Sequence, residues 1–488
     1  MILPRCRALL APAMLAPALL LAACAGMDTV APPQARKRDP VQLDAGAAVR
    51  AAAVGGQAAP TSWPQQAWWR ALNDPQLERL LARALEGNPG LKASQARVRQ
   101  AQALAGAAEA AGMPQVEGGA VIDRERYSAH STVAAPLAGH YATKATVNIT
   151  ASYDLDLWGR NRAALAAALH DTQMAAAESQ MVKLALQTAI VHSYIQLAAA
   201  WATQDAAEAS LEQRRRILEL TRRRRDAGLA SGIDVATMET MLPAGQRGQE
   251  QAAESVALLR NQLAALIGQG PGDGDTIARP VLMLDPGSGG ALLPSALPAE
   301  LVARRPDLAA QRWRVEAAAD RIGAARADFY PNINLAAFAG FQALGFSRLL
   351  SAQSATRGVA PAIGLPIFDG GRLRAQLGSS NALYDMAVEQ YNATLVQALA
   401  EVADAVARAR SAERQRQLAE QALASAGKAL TLAERAFRAG LTDAPGVLQA
   451  RLALLAEQQQ MVQVQSNRLD SYAALMAALG GGIKPDLP

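Results

Sequence analysis

The sequence has few cysteines and few aromatic residues. Its 488 residues include two cysteines, Cys6 and Cys24. Since Cys6 lies in a predicted leader, the mature chain would have no disulfide and no thiolate metal site. Aromatic residues make up 4% of the chain and hydrophobic residues 51%. This alanine-rich composition favours long helices packed through small side chains over one compact globular domain.

Enzyme motifs are also missing. The sequence has no HExxH, no Cys/His metal spacing and no Gly-x-Ser-x-Gly, and its SAGKAL segment lacks the upstream glycine of a phosphate loop. The formal net charge is +5, and a mild excess of this kind does not indicate a nucleic-acid partner. We therefore predict no catalytic residues, no metal, no bound cofactor and no nucleic-acid binding.

The first residues are typical of an exported protein. Arg5 and Arg7 precede a short apolar core, which predicts a signal peptide over residues 1–23. The segment Leu21-Ala22-Ala23-Cys24 resembles the lipobox of bacterial lipoproteins, in which the cysteine carries a covalent lipid and becomes the mature N-terminus. Residue 25 is Ala rather than Asp, which by the same resemblance favours the outer membrane. Cleavage of a plain signal peptide beside a chance cysteine is the alternative. Residues 24–60 are predicted to be an extended tether.

The remainder of the chain contains an internal repeat with an offset of 212 residues. Ala227-Gly228-Leu229 recurs as Ala439-Gly440-Leu441, and the same offset relates Gly268 to Gly480. We predict a first repeat over 61–268 and a second over 298–482. A glycine- and proline-rich linker at 269–297 is expected to be non-helical and solvated, and 483–488 form a tail.

Alternating apolar and polar residues predict two strands in each repeat. The pattern is strict from Val147 to Leu157. The expected strands are about 115–127, 141–158, 331–345 and 357–368. One apolar face suits either a soluble sheet with a wet side or a membrane barrel. Four strands cannot enclose a water-filled barrel, so the second interpretation requires several subunits.

Long helices are predicted after each strand pair. The 66 residues from Asn161 to Asp226 would reach about 100 Å as one straight helix. Such helices need neighbours along their length. Apolar or small residues at helical spacing mark the expected packing positions, among them Leu184, Thr188, Val191, Leu383 and Tyr391.

Each long helix is predicted to end in a tight turn. Gly228 and Gly440 can adopt the left-handed conformation that ends a helix. Ser231 with Asp234 forms a capping-box pattern for the following helix, and Thr442 or Asp443 can cap in the second repeat. Leu229 and Leu441 then have two interpretations. They are either exposed contacts for a partner or fold back as the apolar contact of the helix end.

Taken together, these motifs resemble the TolC-like outer-membrane channels, in particular the lipidated NodT branch that serves resistance-nodulation-division (RND) efflux pumps. The resemblance covers about Trp63–Gly482 and includes the DLWGR and FDGGR junctions at Asp156–Arg160 and Phe368–Arg372. It implies a mainly α protomer whose homotrimer pools its strands into a twelve-stranded barrel, continued by a periplasmic helical barrel.

The resemblance also implies partners and site residues. The protein would be a passive exit duct linked to a periplasmic adaptor and an inner-membrane RND pump. The implied adaptor-docking residues are Ala227, Gly228, Leu229, Ser231, Ala439, Gly440, Leu441 and Thr442. Family members often place an acidic gate residue in the helix after the second tip, where this sequence has Gln449. Asp443 and Glu457 are the nearest acids and complete the gate candidates.

Two other functions are compatible with parts of the pattern. A type I secretion conduit would have the same fold. A lipid-anchored periplasmic coiled-coil scaffold would not need the alternation from Val147 to Leu157. The sequence does not indicate the cargo, which could be a drug, solvent, dye or metal.

Overall fold

The computed structural model describes residues 29–43, 64–130, 132–284 and 304–482. The predicted signal peptide, Cys24 and the tail at 483–488 lie outside these residues. The chain divides into two compact units. One contains the described residues within 1–37, 97–175 and 311–391 and holds the strands. The other contains the described residues within 38–96, 176–310 and 392–488 and holds both helical turns.

The described residues form two successive sets of helices and strands. The first set is α1 (Pro75–Gly87), α2 (Pro89–Ala111), β1 (Gln115–Arg126), β2 (Tyr141–Asp154), α3 (Arg160–Asp226) and α4 (Gly232–Leu266). The second is α5 (Pro306–Ala327), β3 (Asn332–Leu344), β4 (Ala355–Gly364), α6 (Arg372–Arg438) and α7 (Ala444–Ala478). Among the described residues, no helix has the length and apolarity needed to cross a membrane.

The two sets have matching dimensions, which confirms the predicted duplication. Helices α3 and α6 each contain 67 residues, and α4 and α7 each contain 35. The contact between the end and the beginning of each set is also repeated. Gly268 has φ +79°, and a Cβ there would lie 2.6 Å from the carbonyl oxygen of Gly87. Gly480 has φ +91°, and a Cβ there would lie 2.6 Å from the carbonyl oxygen of Arg304. The end of each repeat therefore packs backbone to backbone against its own beginning, which requires glycine.

The strands form one antiparallel sheet in the order β1-β2-β3-β4. Its central pairing joins the two repeats and aligns Val147 with Phe341. Apolar residues of the alternating face remain exposed, including Ile149 at 60%. Strand β2 ends at Asp154, short of the predicted 158, because Asp156 adopts a left-handed conformation with φ 43°. Strand β4 is Ala355–Gly364 rather than 357–368, and Pro366 beyond it lacks an N–H for the ladder.

Residues 30–35 of the predicted tether pack against other residues of the first unit. The Asp385 carboxylate accepts hydrogen bonds from the backbone N–H groups of Gln34 and Ala35, at 2.9 and 2.8 Å. The side-chain amide of Asn381 donates to the carbonyl of Ala31 at 2.7 Å. Val30 packs on a small apolar core. Side chains of α6 therefore satisfy backbone groups of this extended segment.

The start of the predicted linker is likewise packed, here within the second unit. Residues Pro271–Thr276 form a 3₁₀ helix, and Ile277 beside it is 2% exposed. Arg83 of α1 pairs with Asp273 at 2.5 Å. The expectation of a non-helical, solvated linker is therefore corrected for residues 269–284. Residues 285–297 lie outside the described part of the chain.

Candidate functional site: the paired helical tips

Both predicted turns end a helix with the same backbone hydrogen bonds. At the first turn, Gly228 has φ 74°, and its N–H donates to the carbonyl of Arg225 at 2.8 Å. The N–H of Leu229 donates to Arg224 at 2.7 Å. This pair of bonds defines the Schellman motif, in which a left-handed residue lets the chain leave the helix. We call the segment 227–234 the first tip.

The second tip, residues 439–446, repeats this geometry. Gly440 has φ 72° and donates to Phe437 at 3.0 Å, while Leu441 donates to Ala436 at 2.8 Å. A Cβ added at Gly228 or Gly440 would meet no atom within 4 Å. The backbone conformation, rather than any close neighbour, therefore explains the glycine at both tips.

The helix after each tip begins with a side-chain cap, and the two caps differ. The predicted capping box is confirmed: Ser231 N–H donates to the Asp234 carboxylate at 2.7 Å, and Asp234 N–H donates to Ser231 Oγ at 3.2 Å. Hydrogen bonds from the Ser231 N–H and hydroxyl lower the pKa of Asp234. At the second tip the cap is Asp443 rather than Thr442, since Asp443 accepts from Gly446 N–H at 3.0 Å.

The apex leucines are exposed. Leu229 is 70% exposed and Leu441 is 82% exposed, so the alternative in which they fold back does not hold. A Schellman motif usually places an apolar contact between this residue and the helix position five before it. Those positions hold Arg224 and Ala436, which offer no large apolar surface. Sequence reasoning missed Ile233, 78% exposed in the first turn of α4, although its place after the cap was a usable signal.

Arginines at the first tip are engaged in ion pairs. Arg222 pairs with Glu239 across the turn at 2.6 Å, and Arg223 pairs with Glu219 in its own helix. Arg224 pairs with Asp443 at 3.0 Å, between side chains that are 36% and 58% exposed. This pair joins the first tip to the second. The tips therefore form one composite surface with apolar apices, and the arginines beside the first tip are paired with acidic side chains.

Asp443 is fully engaged. One carboxylate oxygen accepts the cap bond from Gly446 and the other meets Arg224. The Gly446 N–H first, and Arg224 second, hold the pKa of Asp443 below its usual range. The other gate candidates lie farther along α7, about 9 Å from the cap at Gln449 and about 20 Å at Glu457. These three candidates do not form one cluster; Gln449 is exposed and Glu457 is half-buried.

Within the described residues, no group of three or more His, Cys, Asp or Glu side chains could hold a metal ion. That the protein needs no metal or cofactor stays a prediction. Cys24 lies outside the described residues, so its lipidation also stays a prediction.

Comparison with known proteins supplies the family of the chain. The model of the family described as "Outer membrane efflux protein" matches residues 80–269 and 297–481. The chain is 38% identical over 496 aligned residues to the fusaric acid resistance protein FusA of Burkholderia cepacia, covering 99% of this chain and 90% of FusA. It is 34% identical over 441 residues to the multidrug resistance outer membrane protein MdtP of Escherichia coli K12, covering 87% and 88%.

Solved structures agree with this result. The chain resembles the outer membrane protein VceC of Vibrio cholerae with a TM-score of 0.79 and 36% identity, covering 86% of this chain and 100% of VceC. It resembles the open state of the Neisseria gonorrhoeae MtrE outer membrane channel with a TM-score of 0.74 and 23% identity, covering 94% and 99%; this likeness supports the fold alone.

Proposed function

This chain belongs to the outer membrane efflux protein family, and we propose that three copies of it assemble into one duct whose tips dock on a periplasmic adaptor. The protein is an outer-membrane efflux channel, the exit duct of an RND-type pump. Its family is one of channels rather than enzymes. Pooling four strands from each of three copies would supply the twelve strands of the barrel that the family resemblance implies.

The paired tips support the docking role. Leu229, Ile233 and Leu441 are each at least 70% exposed, and large apolar side chains at loop tips are candidate partner contacts. Because Arg222 to Arg225 are paired with acidic side chains beside the first tip, the adaptor surface facing the apices would be mainly apolar, with backbone polar groups at Gly228 and Gly440. Ala227, Ser231, Ala439 and Thr442 would surround this apolar centre.

The Arg224–Asp443 ion pair is proposed to tie the two tips together while the entrance is closed. An exposed ion pair is worth about 0–1 kcal/mol, so a docked adaptor could replace it at little cost. Gln449, about 9 Å into α7, would face the lumen at the constriction in place of the acid that the family often has. Glu457 would lie deeper in the entrance.

The N-terminal segment is proposed to anchor the chain through a lipid on Cys24. The lipid on Cys24 would add to the membrane attachment that the strands provide. The segment that follows Cys24 is bound to α6 through Asp385. A Cys24→Ala chain with a cleavable signal peptide should therefore be exported without the lipid. If such a chain still incorporates labelled palmitate, Cys24 is not the attachment site.

Adaptor docking can be tested by crosslinking. With Cys6 removed with the signal peptide and Cys24 lipidated, Leu229→Cys gives a single free thiol at an apex. We expect it to crosslink to the adaptor, and Leu229→Asp to lower efflux at unchanged protein level. Leu258→Asp is the matched control, because Leu258 is 59% exposed on α4 away from the tips. Equal effects of the two Asp variants would refute the docking role.

The cargo can be tested by deletion and complementation. FusA is named for fusaric acid resistance, and fusaric acid is therefore the first compound to try. We expect the deletion strain to become sensitive to small toxic molecules and the wild-type gene to restore resistance. Loss of a secreted protein with unchanged small-molecule sensitivity would instead favour a type I secretion conduit.

A further inference from the structure

A cavity of about 430 Å³ lies where the sheet meets the helices of the first unit. Its lining includes Trp158, Arg160, Asp328, Tyr330, Arg372 and Gln376. The register places the end of β2, the start of β3 and the end of β4 at the same end of the sheet, beside the cavity. Because the helices extend into the periplasm, this end of the sheet faces the periplasmic leaflet of the outer membrane.

Aromatic and apolar side chains border the cavity. The Trp158 and Tyr330 rings stack with centroids 4.5 Å apart, and Trp158 Nε1 donates to the carbonyl of Pro331 at 2.9 Å. Tryptophan and tyrosine concentrate at membrane–water interfaces, where one end of the ring is wet. Leu157 is 57% exposed next to Trp158, and Phe368 is 91% exposed four residues before Arg372. These side chains offer an apolar border beside a polar cavity.

Both positively and negatively charged side chains line the cavity. Arg160 pairs with Asp154 at 3.2 Å and lies 3.9 Å from Asp328, so Asp328 is held loosely. Arg372 is exposed, and its acidic neighbour Asp369 is bonded instead to the N–H groups of Leu373 and Gly371, which lower the pKa of Asp369 together with the Arg372 charge. The lining thus presents a guanidinium available to an anion and a carboxylate available to a cation. Asp156, also in the lining, is engaged by the N–H groups of Asn161 and Arg162.

We propose that this cavity binds the headgroup of phosphatidylethanolamine. Its phosphate would pair with Arg372 and its ammonium would donate hydrogen bonds to Asp328, with the acyl chains along Leu157 and Phe368. Three carboxylates and two guanidinium groups line the cavity, which disfavours a headgroup of net negative charge. A choline headgroup has no N–H to donate. The inference rests on the outer-membrane placement of the chain and is independent of adaptor docking.

The test uses the full-length lipidated protein. Purified protein is exchanged into detergent containing equal amounts of phosphatidylethanolamine, phosphatidylglycerol and phosphatidylcholine with identical acyl chains, and retained lipid is counted by native mass spectrometry. We expect phosphatidylethanolamine to be retained several-fold over both others. Arg372→Gln should abolish this preference, and Asp328→Asn should shift it towards phosphatidylglycerol. Arg348→Gln is the matched control, because Arg348 is exposed in the β3–β4 hairpin at the opposite end of the sheet.

Two results would overturn the proposal. One is equal retention of phosphatidylglycerol or phosphatidylcholine by the wild-type protein. The other is an unchanged preference in both Arg372→Gln and Asp328→Asn, with oligomeric mass and circular dichroism showing that these variants remain folded. Adaptor crosslinking through Leu229→Cys is measured on the same variants, so failure of lipid selection and failure of docking are separate outcomes.

Discussion

Substitution of Gly268 by alanine should destabilise the chain in two ways, through an unfavourable backbone conformation and through a steric clash. Substitutions of other glycines measure each effect separately. Gly268 and Gly228 both have a left-handed conformation, with φ +79° and +74°. Gly228 faces open space, whereas a Cβ at Gly268 would lie 2.6 Å from the carbonyl oxygen of Gly87. Gly228→Ala should therefore cost only the conformational term, about 1–2 kcal/mol.

Gly87→Ala isolates the steric effect. Gly87 does not have positive φ, but a Cβ there would lie 2.6 Å from the carbonyl oxygen of Ile267. Overpacking of this kind costs about 1–3 kcal/mol, offset by at most about 1 kcal/mol of helix propensity. Gly268→Ala combines both effects, so we expect about 2–5 kcal/mol. Gly248→Ala is the control, since Gly248 lies inside α4 with no atom within 4 Å of a Cβ.

The assay is thermal loss of helical circular dichroism in detergent at one fixed scan rate, which ranks the variants even where unfolding is irreversible. The expected order of the midpoint is Gly248→Ala at or above wild type, then Gly228→Ala, with Gly268→Ala lowest. If Gly268→Ala lowers the midpoint no more than Gly228→Ala, the backbone contact with Gly87 does not restrict this position, and the reasoning fails.

Three further predictions concern the second unit. Asp443→Asn should keep the helix cap but lose the ion pair with Arg224. It should therefore destabilise the helix by less than Asp443→Ala, for which we expect roughly 1 kcal/mol. Equal destabilisation by the two variants in thermal scans would contradict this. Arg305→Gln should cost about 1–3 kcal/mol, because it removes the donor to the buried carbonyl of Ala478 at 3.1 Å and the contact with Glu401 at 2.7 Å; Arg305→Lys, which keeps the charge, should cost less in the same scans. The pKa values of Asp443 and Asp234 are lowered, so their stabilising contributions are present above the ordinary aspartate range and are lost only as pH falls through the lowered values. The difference in thermal midpoint between wild type and Asp443→Ala should therefore be equal at pH 5 and pH 7, and a smaller difference already at pH 6 would contradict this.

Local signals made the tips predictable. A left-handed glycine and a capping box depend on residues within one helical turn, so Gly228, Gly440 and the Ser231–Asp234 pair could be assigned from the sequence. The exposure of Leu229 was also open to prediction, because Arg224 occupies the position that would have covered it.

The contacts that the sequence did not predict depend on distant partners. Asp385 binds the backbone of Gln34, and Asp273 binds Arg83, across long sequence separations that no local pattern marks. Helical periodicity likewise gives the spacing of a packed face but not its direction. Leu383, expected among the packing positions, is 49% exposed, whereas Val388 on the same helix is fully buried.

The two ends of each repeat differ in how firmly they are held. At one end, Gly268 and Gly480 pack backbone to backbone with contacts that tolerate no Cβ, and buried Arg305 bridges two carboxylates. At the tips, the described contact between the repeats is the Arg224–Asp443 ion pair, whose side chains are 36% and 58% exposed. Such a pair contributes about 0–1 kcal/mol. Breaking this pair therefore costs little, and a partner that covers Leu229 and Leu441 could separate the tips by burying their apolar surface.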